Sequence, residues 1–314
     1  MLGMSEDEIA RVRRDKVSNN ARCNNRKRHG MAAKLTELLD RGGLITAPGV
    51  GDALTARLVA RAGFPCVSMS GFQVAATFGY PDIGLVTLNE MVDQAARICA
   101  AVDLPVIVDG DNGHGNALNT MRTVREFERT GAAAIHLEDQ SLPKKCGHMQ
   151  GHKLIDAGEM CGKLRAAADA RASSDFLIIA RSDAIPNEGL EAAIERGARY
   201  REAGADAIMV MGPRSRDDLV RYREAVQGPL VVTMGSWAFD VSSEELLALG
   251  YQLVLYPLTT MRRATQAVSE CLDELRDAGR YDHSRPDVMT LHELNHVLGL
   301  EEFVKEERQY ATGF

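Results

Sequence analysis

The sequence predicts an α/β fold, a (β/α)8 barrel of the TIM type, with an extra N-terminal helix and further C-terminal helices. Short aliphatic and β-branched runs recur along residues 43–256, and longer segments rich in Ala, Leu, Glu and Arg separate them. Glycine or proline marks most of the junctions between the two kinds of segment. Strands that alternate with helices predict a parallel sheet, and a count of eight favours a closed barrel over an open sheet.

The predicted strands are short, and several are continuous apolar runs, which is expected where both faces of a parallel sheet are buried. The strands are Gly43–Ala47, Cys66–Ser70, Pro105–Asp109, Ala134–Glu138, Phe176–Arg181, Ala207–Met211, Pro229–Thr233 and Leu253–Tyr256. The helices are Ala53–Ala62, Leu88–Ala101, Ala117–Thr130, Ala157–Ala172, Leu190–Ala203, Asp217–Val226 and Ser242–Leu249.

Three segments are predicted within the 314 residues. Residues 1–40 form a basic helical extension, residues 41–265 a catalytic barrel without internal linkers, and residues 266–314 a helical extension. Basic residues are dense between Arg11 and Arg28, and we interpret this stretch as a solvated extension that packs on a neighbouring subunit. The alternatives are a basic arm for an anionic partner and a targeting peptide, although Glu6, Asp7 and Glu8 argue against the latter.

The composition of the chain argues against several classes of binding partner. The net charge of -7 gives the chain no general attraction to nucleic acid, and no apolar run reaches the ~18–20 residues that span a membrane. The six cysteines form no Cys-x-x-Cys pair, which argues against a zinc ribbon and suits a reducing, cytoplasmic location. Because no phosphate-binding glycine motif follows a strand, nucleotide binding is not favoured.

Acidic residues follow consecutive predicted strands, where the carboxyl ends of barrel strands surround one mouth. Asp109 and Asp111 are two apart on an extended segment and so share a face, and Glu138 ends the next strand. Clustered carboxylates repel each other unless a cation neutralises them, and an all-oxygen set suits Mg²⁺. The sequence therefore predicts a magnesium site, the alternative being a set of helix caps and turn residues.

A second group of reactive residues lies in the run Lys144-Lys145-Cys146-Gly147-His148, soon after the fourth predicted strand. Cationic neighbours lower the pKa of a thiol and make it a competent proton donor or acceptor. Pro143, Gly147 and Gly151 bracket the run, as expected of a lid that closes over substrate. The alternative is an exposed basic loop with an incidental cysteine.

With these motifs the sequence resembles the isocitrate lyase/phosphoenolpyruvate mutase superfamily over most of residues 40–300. The resemblance rests on Ser70–Gln73, Pro81–Gly84, Asp109–Asn116, Leu137–Gln140, Pro143–His148 and Ile179–Ala184. Two of these motifs, Ser70–Gln73 and Pro143–His148, resemble isocitrate lyase itself. The chain length is closer to the branch that contains methylisocitrate lyase, dimethylmalate lyase and carboxyphosphonoenolpyruvate mutase.

The resemblance implies a role for each motif residue. Asp109 would contact Mg²⁺, or Mn²⁺ as a substitute, and Asp82, Asp111 and Glu138 would hold its water shell. Cys146 and Arg181 would act in catalysis together with Lys144 and His148. The residues implied to bind the oxo-acid part of the substrate are Ser70, Gly71, Phe72, Asp109, Gly147, His148 and Arg181. A homotetramer, a dimer of dimers with exchanged C-terminal helices, would explain the apolar positions of Leu291–Phe303.

The implied activity is a Mg²⁺-dependent C–C bond lyase that acts on a 2-hydroxy (di)carboxylate and releases pyruvate or glyoxylate through an enolate. Three alternatives remain: a P–C bond enzyme (a phosphonomutase of carboxyphosphonoenolpyruvate or phosphoenolpyruvate, or a phosphonopyruvate hydrolase), an oxaloacetate decarboxylase or hydrolase, and a scaffold without activity. The Cys-Gly-His run favours the lyase over the phosphoenolpyruvate mutase and the hydrolase, but the carboxyphosphonoenolpyruvate branch also carries it.

The sequence departs from the lyase pattern after the sixth and seventh predicted strands. The lyases usually have a Glu after the sixth strand, and an Asn and a Glu after the seventh. Here the corresponding runs are Met209–Arg214 and Thr233–Trp237, and Ser182 replaces a more usual Thr. We therefore expect a substrate whose far end is smaller, less charged or more alkylated than that of isocitrate.

Overall fold

The structure is a computed structural model and describes residues 30–147, 149, 151–235 and 239–311. Within that part of the chain, eight parallel strands pair in sequence order and close into a barrel, with the first strand beside the eighth. The strands are β1 (Ile45–Val50), β2 (Val67–Met69), β3 (Val106–Asp109), β4 (Ala134–Glu138), β5 (Leu177–Ser182), β6 (Ala207–Val210), β7 (Leu230–Thr233) and β8 (Leu253–Tyr256). The predicted (β/α)8 barrel is thus confirmed.

Helices cover the outside of the barrel and extend beyond it at both ends of the described chain. They are α1 (residues 30–40), α2 (Ala53–Arg61), α3 (Gly71–Thr77), α4 (Leu88–Ala101), α5 (Ala117–Thr130), α6 (Ala157–Ala170), α7 (Ala184–Glu188), α8 (Leu190–Glu202), α9 (Arg216–Ala225), α10 (Ser243–Ala248), α11 (Thr259–Ala278), α12 (Leu291–Leu298) and α13 (Leu300–Tyr310).

Three local differences from the sequence-based prediction bear on the site. Strand β1 begins two residues later than predicted and continues through Pro48 to Val50. Helices α3 and α7 were not predicted, and each begins directly after a strand at the mouth of the barrel. Ser70, predicted as the last residue of a strand, is instead the N-cap of α3, where its side chain accepts a hydrogen bond from the backbone N–H of Gln73.

The alternation of side chains along each strand builds two apolar layers. One set of strand residues, such as Ile107, Ile179 and Val231, fills the interior of the barrel, and the other set packs beneath the surrounding helices. Ala32 and Leu35 of α1 join the interior layer and cover its lower end. The inward-facing positions continue upwards into the polar residues of the mouth, so the same alternation that forms the core aims those side chains into the site.

The C-terminal helices present apolar side chains to solvent. Helix α11 has no buried residue, and it runs across the predicted boundary between residues 265 and 266. Exposed apolar residues of this region are Val268, Leu272, Leu275, Leu291, Leu300 and Phe303. A groove of about 1010 Å³ is lined by residues of α11, α2 and β1. In the part of the chain that the structure describes, no helix is long and apolar enough to cross a membrane.

The candidate active site

The candidate site is a small cavity of about 40 Å³ at the carboxyl ends of the strands. Its polar wall comes from the ends of β2 to β5 and includes Ser70, Asp109 and Arg181. Its apolar wall comes from β6 to β8 and includes Met209 and Leu255. The cavity therefore lies where function is found in barrels of this class.

Asp109 is held in the polar wall by two backbone N–H groups. Its Oδ2 accepts a hydrogen bond from the backbone N–H of Gly71 at 3.0 Å, and its Oδ1 accepts one from the N–H of Asp111 at 3.0 Å. A Cβ atom at Gly71 would lie 2.8 Å from Asp109 Oδ2, so only glycine allows this approach. Burial would raise the pKa of Asp109, but the charges of His136, Lys144 and Arg181 outweigh it and lower that pKa.

Asp111 is held in a strained backbone conformation. Its φ of 47° lies in the left-handed region, which residues other than glycine seldom adopt. Its carbonyl oxygen accepts a hydrogen bond from the backbone N–H of Glu138 at 2.9 Å, which ties the loop after β3 to the end of β4. Such strain persists only where surrounding contacts enforce it, and it is concentrated at functional sites.

Lys144 reaches into this acidic group from the loop after β4. Its Nζ is 2.5 Å from Asp82 Oδ1 and 2.5 Å from Asp111 Oδ1, and the residue is 5% exposed. Burial would lower the pKa of Lys144, but the four nearby carboxylates of Asp82, Asp109, Asp111 and Glu138 outweigh it and raise that pKa well above its usual value. The loop is therefore folded down onto the mouth of the barrel.

Arg181 is fixed by two carboxylates. Its Nε and Nη2 donate to Asp183 Oδ1 and Oδ2, each at 2.9 Å, and its Nη1 lies 3.1 Å from Glu138 Oε2. All three residues are buried. Burial raises the pKa of Glu138 well above its usual value even though Arg181 opposes the shift. The bidentate pair with Asp183 fixes the plane of the guanidinium group, and Arg181 itself lines the cavity.

The carboxylates of the polar wall fit Mg²⁺ by their chemistry. The buried Oε1 of Glu138 has no hydrogen-bond partner in the structure, and the buried Oδ1 of Asp111 is paired with the Lys144 ammonium alone. Among the described residues, no three His, Cys, Asp or Glu side chains form a group that could hold a metal on their own. Mg²⁺ does not require such a group, because it keeps several waters and takes one or two direct carboxylates. The donor set therefore fits a largely hydrated ion.

Cys146 and Gly147 close the cavity from the lid loop, which we define as residues 144–151. Both line the cavity, and Cys146 is buried. The backbone N–H of Cys146 donates to the carbonyl of Asp82 at 3.0 Å. A Cβ atom at Gly147 would collide with the guanidinium of Arg181, so the backbone there packs directly against the arginine. The remaining predicted residue of this run, His148, lies outside the described residues.

The apolar wall agrees with the sequence departures noted above. Met211 and Thr233 line the cavity, and Thr233 Oγ1 donates to the sulfur of Met211 at 2.9 Å. Arg214 is exposed, and its Nη2 donates to the carbonyl oxygens of Ile185 and Pro186 in α7. The cation that follows the sixth strand in sequence is therefore engaged elsewhere. Trp237 lies outside the described residues.

The structure brings the other predicted residues together: Ser70, Phe72, Asp82, Asp109, Cys146, Gly147 and Arg181 line the cavity, and Gly71, Asp111, Glu138 and Lys144 contact residues that do. Sequence reasoning missed His136, whose Nδ1 is 3.5 Å from Asp109 Oδ1. The alternation along β4 was a usable signal, because His136 lies between inward-facing Ala134 and Glu138. Sequence reasoning also missed Gln140, which contacts both the lid loop and Asp183.

Comparisons with known proteins agree with this geometry. Residues 35–276 match the family model described as phosphoenolpyruvate phosphomutase. The chain is 42% identical to 2,3-dimethylmalate lyase of Eubacterium barkeri, over 90% of this chain and 99% of that protein. It is 38% identical to a 2-methylisocitrate lyase of Aeropyrum pernix, over 88% and 90% respectively.

A solved structure of oxaloacetate acetylhydrolase with the inhibitor 3,3-difluorooxalacetate has the same fold, with a TM-score of 0.86 at 34% identity. The match covers 91% of this chain and 99% of that one. The family model covers well over half of the chain, and the curated relatives are aligned over nearly their whole lengths. The chain therefore belongs to the phosphoenolpyruvate phosphomutase family, a family of enzymes within the phosphoenolpyruvate mutase/isocitrate lyase superfamily.

Proposed function

We propose that the protein is a Mg²⁺-dependent C–C bond lyase that cleaves a 2-hydroxy (di)carboxylate and releases pyruvate or glyoxylate through an enolate. The observation that carries this proposal is the meeting of Cys146, Arg181 and Asp109 around one cavity. A proton donor, an oxo-acid anchor and a metal-type carboxylate are the parts that such a cleavage needs. The names of the relatives from Eubacterium barkeri and Aeropyrum pernix, both lyases, support the same reaction class.

The polar wall would bind the part of the substrate that becomes the oxo acid. Arg181 offers charge-assisted hydrogen bonds to the carboxylate of this part of the substrate. Ser70, which lines the same cavity, and Gly71 lie at the start of α3 and would bind the same part. Asp109 would hold Mg²⁺ directly, with Asp82, Asp111 and Glu138 around its waters. When bound, Mg²⁺ supplies Lewis-acid polarisation of the oxygen on C2.

Cys146 would supply the proton that completes the reaction. The C2 hydroxyl would pass its proton to a carboxylate of the polar wall as it becomes the oxo group. The bond between C2 and C3 then breaks, and its electron pair remains on the departing fragment as an enolate. The thiol of Cys146 faces the same cavity and can protonate the enolate carbon. His148, in the same loop, would assist this transfer. Without the proton donor, the enolate would return to the oxo acid and re-form the broken bond.

The lid loop would exclude water while the enolate exists. With the loop folded down, the cavity of about 40 Å³ has space for only a few water molecules. Because Cys146 and Gly147 cover the cavity next to Arg181, the loop would open for substrate entry and product release. Loop closure of this kind isolates a reactive intermediate from solvent.

Oxaloacetate hydrolysis is the second candidate, favoured by the likeness to the oxaloacetate acetylhydrolase structure. Hydrolysis also breaks a C–C bond, but it uses water as the attacking group and releases oxalate instead of pyruvate or glyoxylate. The two candidates therefore differ in a product that is easily measured.

We further propose that the chain is a cytoplasmic homotetramer, a dimer of dimers in which the C-terminal helices pass between subunits. Phe303 is 62% exposed and Leu272 is 58% exposed, and exposed apolar side chains on the same helices support an interface here. Light scattering should give a tetramer for the natural chain and smaller species for Leu272→Asp. Gln266→Glu, an exposed change on the same helix, serves as the control. A monomeric natural chain would contradict the proposal.

The function is tested by incubating purified protein and Mg²⁺ with a panel of 2-hydroxy-dicarboxylates, oxaloacetate and phosphonopyruvate. Release of pyruvate or glyoxylate from a 2-hydroxy-dicarboxylate is the expected result. Release of oxalate and acetate from oxaloacetate alone would support the hydrolase. Turnover of phosphonopyruvate alone would replace both candidates with a P–C bond enzyme.

A further inference from the structure

The lid loop leaves the barrel through a narrow neck just beyond β4. Gln140 and Leu154 form an antiparallel bridge across this neck, and the backbone N–H of Ser141 donates to the carbonyl of Lys153 at 2.8 Å. The N–H of Ile155 donates to the carbonyl of Asp139 at 2.9 Å. These backbone contacts fix both ends of the loop, so a movement of the lid takes place beyond Gln140.

The side-chain amide of Gln140 contacts the lid loop through its oxygen, and Asp183, the partner of Arg181, through its nitrogen. Its Oε1 accepts a hydrogen bond from the backbone N–H of Lys145, in the lid loop, at 2.9 Å. Its Nε2 donates to Oδ2 of Asp183. Gln140 is fully buried, and its own carbonyl accepts from Nδ2 of Asn112 at 3.3 Å. One amide group therefore joins the lid to a carboxylate of the polar wall.

That carboxylate is the one that orients Arg181. Asp183 Oδ2 accepts from Gln140 and from Arg181 Nη2, while Asp183 Oδ1 accepts from Arg181 Nε. On its other side Asp183 is anchored by its backbone N–H, which donates to Asp139 Oδ1 at 2.9 Å. The Gln140 amide therefore restrains rotation of the Asp183 carboxylate. Because Arg181 is paired with both oxygens of that carboxylate, the plane of its guanidinium group is restrained as well.

We propose that Gln140 is a positioning residue that couples closure of the lid loop to the orientation of Arg181. The inference rests on the proposed function, in which Arg181 anchors the oxo acid. With the lid closed, Lys145 fixes the Gln140 amide, and the amide fixes Asp183 and Arg181. With the lid open, the amide loses the Lys145 donor and holds Asp183 less firmly. Because such coupling is reciprocal, an oxo acid bound to Arg181 favours the closed lid.

Two substitutions separate the two contacts of Gln140. Gln140→Met keeps the approximate volume and removes both hydrogen bonds. Gln140→Glu keeps an acceptor for the Lys145 N–H but removes the donor to Asp183 and adds charge repulsion there. Ser141→Ala, at the adjacent position of the same neck, changes a half-buried hydroxyl that touches neither Asp183 nor Lys145, and is the matched control.

The readouts are hydrogen exchange at the amides of residues 144–147 without ligand, and the Kd for oxalate with Mg²⁺. Oxalate is used because it mimics the planar enolate of pyruvate. For Gln140→Met we expect exchange and Kd each to rise about tenfold or more, as loss of hydrogen bonds to a charged group implies. For Gln140→Glu we expect a similar rise in Kd with exchange within about twofold of wild type, and Ser141→Ala should change neither.

Gln140→Met with loosened lid amides but unchanged oxalate affinity would overturn the coupling, as would a Ser141→Ala effect equal to that of Gln140→Met. If Gln140→Met does not fold, Gln140→Glu decides, because unchanged oxalate affinity in that variant also overturns the coupling. Failure of the wild-type protein to bind oxalate counts against the proposed function instead. In that case lid exchange in Gln140→Met decides the role of Gln140, and unchanged exchange refutes it.

Discussion

The two walls of the cavity are built from different strands and differ in chemistry. The polar wall, from β2 to β5, holds buried carboxylates, one arginine and the lysine of the lid, and four short ion pairs join these groups. The apolar wall, from β6 to β8, offers Met209, Met211 and Leu255, with Thr233 as its polar side chain among the described strand residues. The polar wall suits the chemistry on the oxo-acid part, and the apolar wall suits selection of the fragment that leaves.

Among the tests of this division between the polar and the apolar wall, we expect removal of the metal to have the largest effect. Chelation with EDTA should reduce turnover to background, because the carboxylates of the polar wall would then lack the ion that polarises the substrate oxygen. Mg²⁺ or Mn²⁺ should restore the rate, measured as oxo-acid release. Undiminished turnover in a preparation verified as metal-free would remove the metal from the mechanism.

The next largest effect is expected for the lid cysteine. Cys146→Ala should lower kcat by ~10²–10⁴-fold, the range for loss of a positioned proton donor, with a stability change of about 1 kcal/mol or less. Cys161→Ala is the control, because Cys161 is also buried but lies on α6, where its thiol donates to the carbonyl of Arg199. Near-normal turnover of Cys146→Ala would favour a mutase or a decarboxylase over the lyase.

Much of the fold follows from the sequence because the barrel strands are buried on both faces and therefore carry apolar runs. Helix α3 escaped prediction for a physical reason. It begins with a glycine and contains Phe72, Val74 and Thr77, which are weak helix formers. The helix is stabilised by contacts far away in sequence, including the hydrogen bond from Gly71 N–H to Asp109 and those from the Gln73 side chain to Pro257 and Thr260.

The candidate site was predictable to a similar extent. The carboxylates follow strand ends, and barrel geometry brings strand ends together. The contacts made by the lid depend on the path of a loop, which no periodicity encodes. Lys144 meets Asp82 across 62 positions of sequence, and Gln140 meets Asp183 across 43. Sequence reasoning therefore identified most of the residues at the mouth but not the partners that hold them in place.

The apolar wall should be visible in substrate preference. Among the described residues that line the cavity, Arg181 is the one cation, and it is already paired with Asp183 and Glu138. A second buried carboxylate on the leaving fragment would remain unpaired, which is costly. We expect kcat/KM for alkylmalates or oxaloacetate to exceed that for isocitrate and methylisocitrate by tenfold or more, or about 1.4 kcal/mol in the transition state. A tenfold preference for isocitrate would show that the apolar wall does bind a charged group of the substrate.

The smallest effect is expected at Arg214, the cation that follows β6 in sequence. If the apolar wall lacks a carboxylate anchor, Arg214→Ala should change kcat/KM by less than about twofold, because the Arg214 guanidinium group is held by the carbonyls of Ile185 and Pro186 in α7. The stability loss should be modest, since an exposed hydrogen-bonded side chain contributes about 0.5–1.5 kcal/mol. The measurement compares the variant and the natural enzyme on one dicarboxylate and one alkylmalate. A loss confined to the dicarboxylate and larger than tenfold would mean that Arg214 turns into the cavity when substrate binds, and that the two walls share the task of neutralising charge.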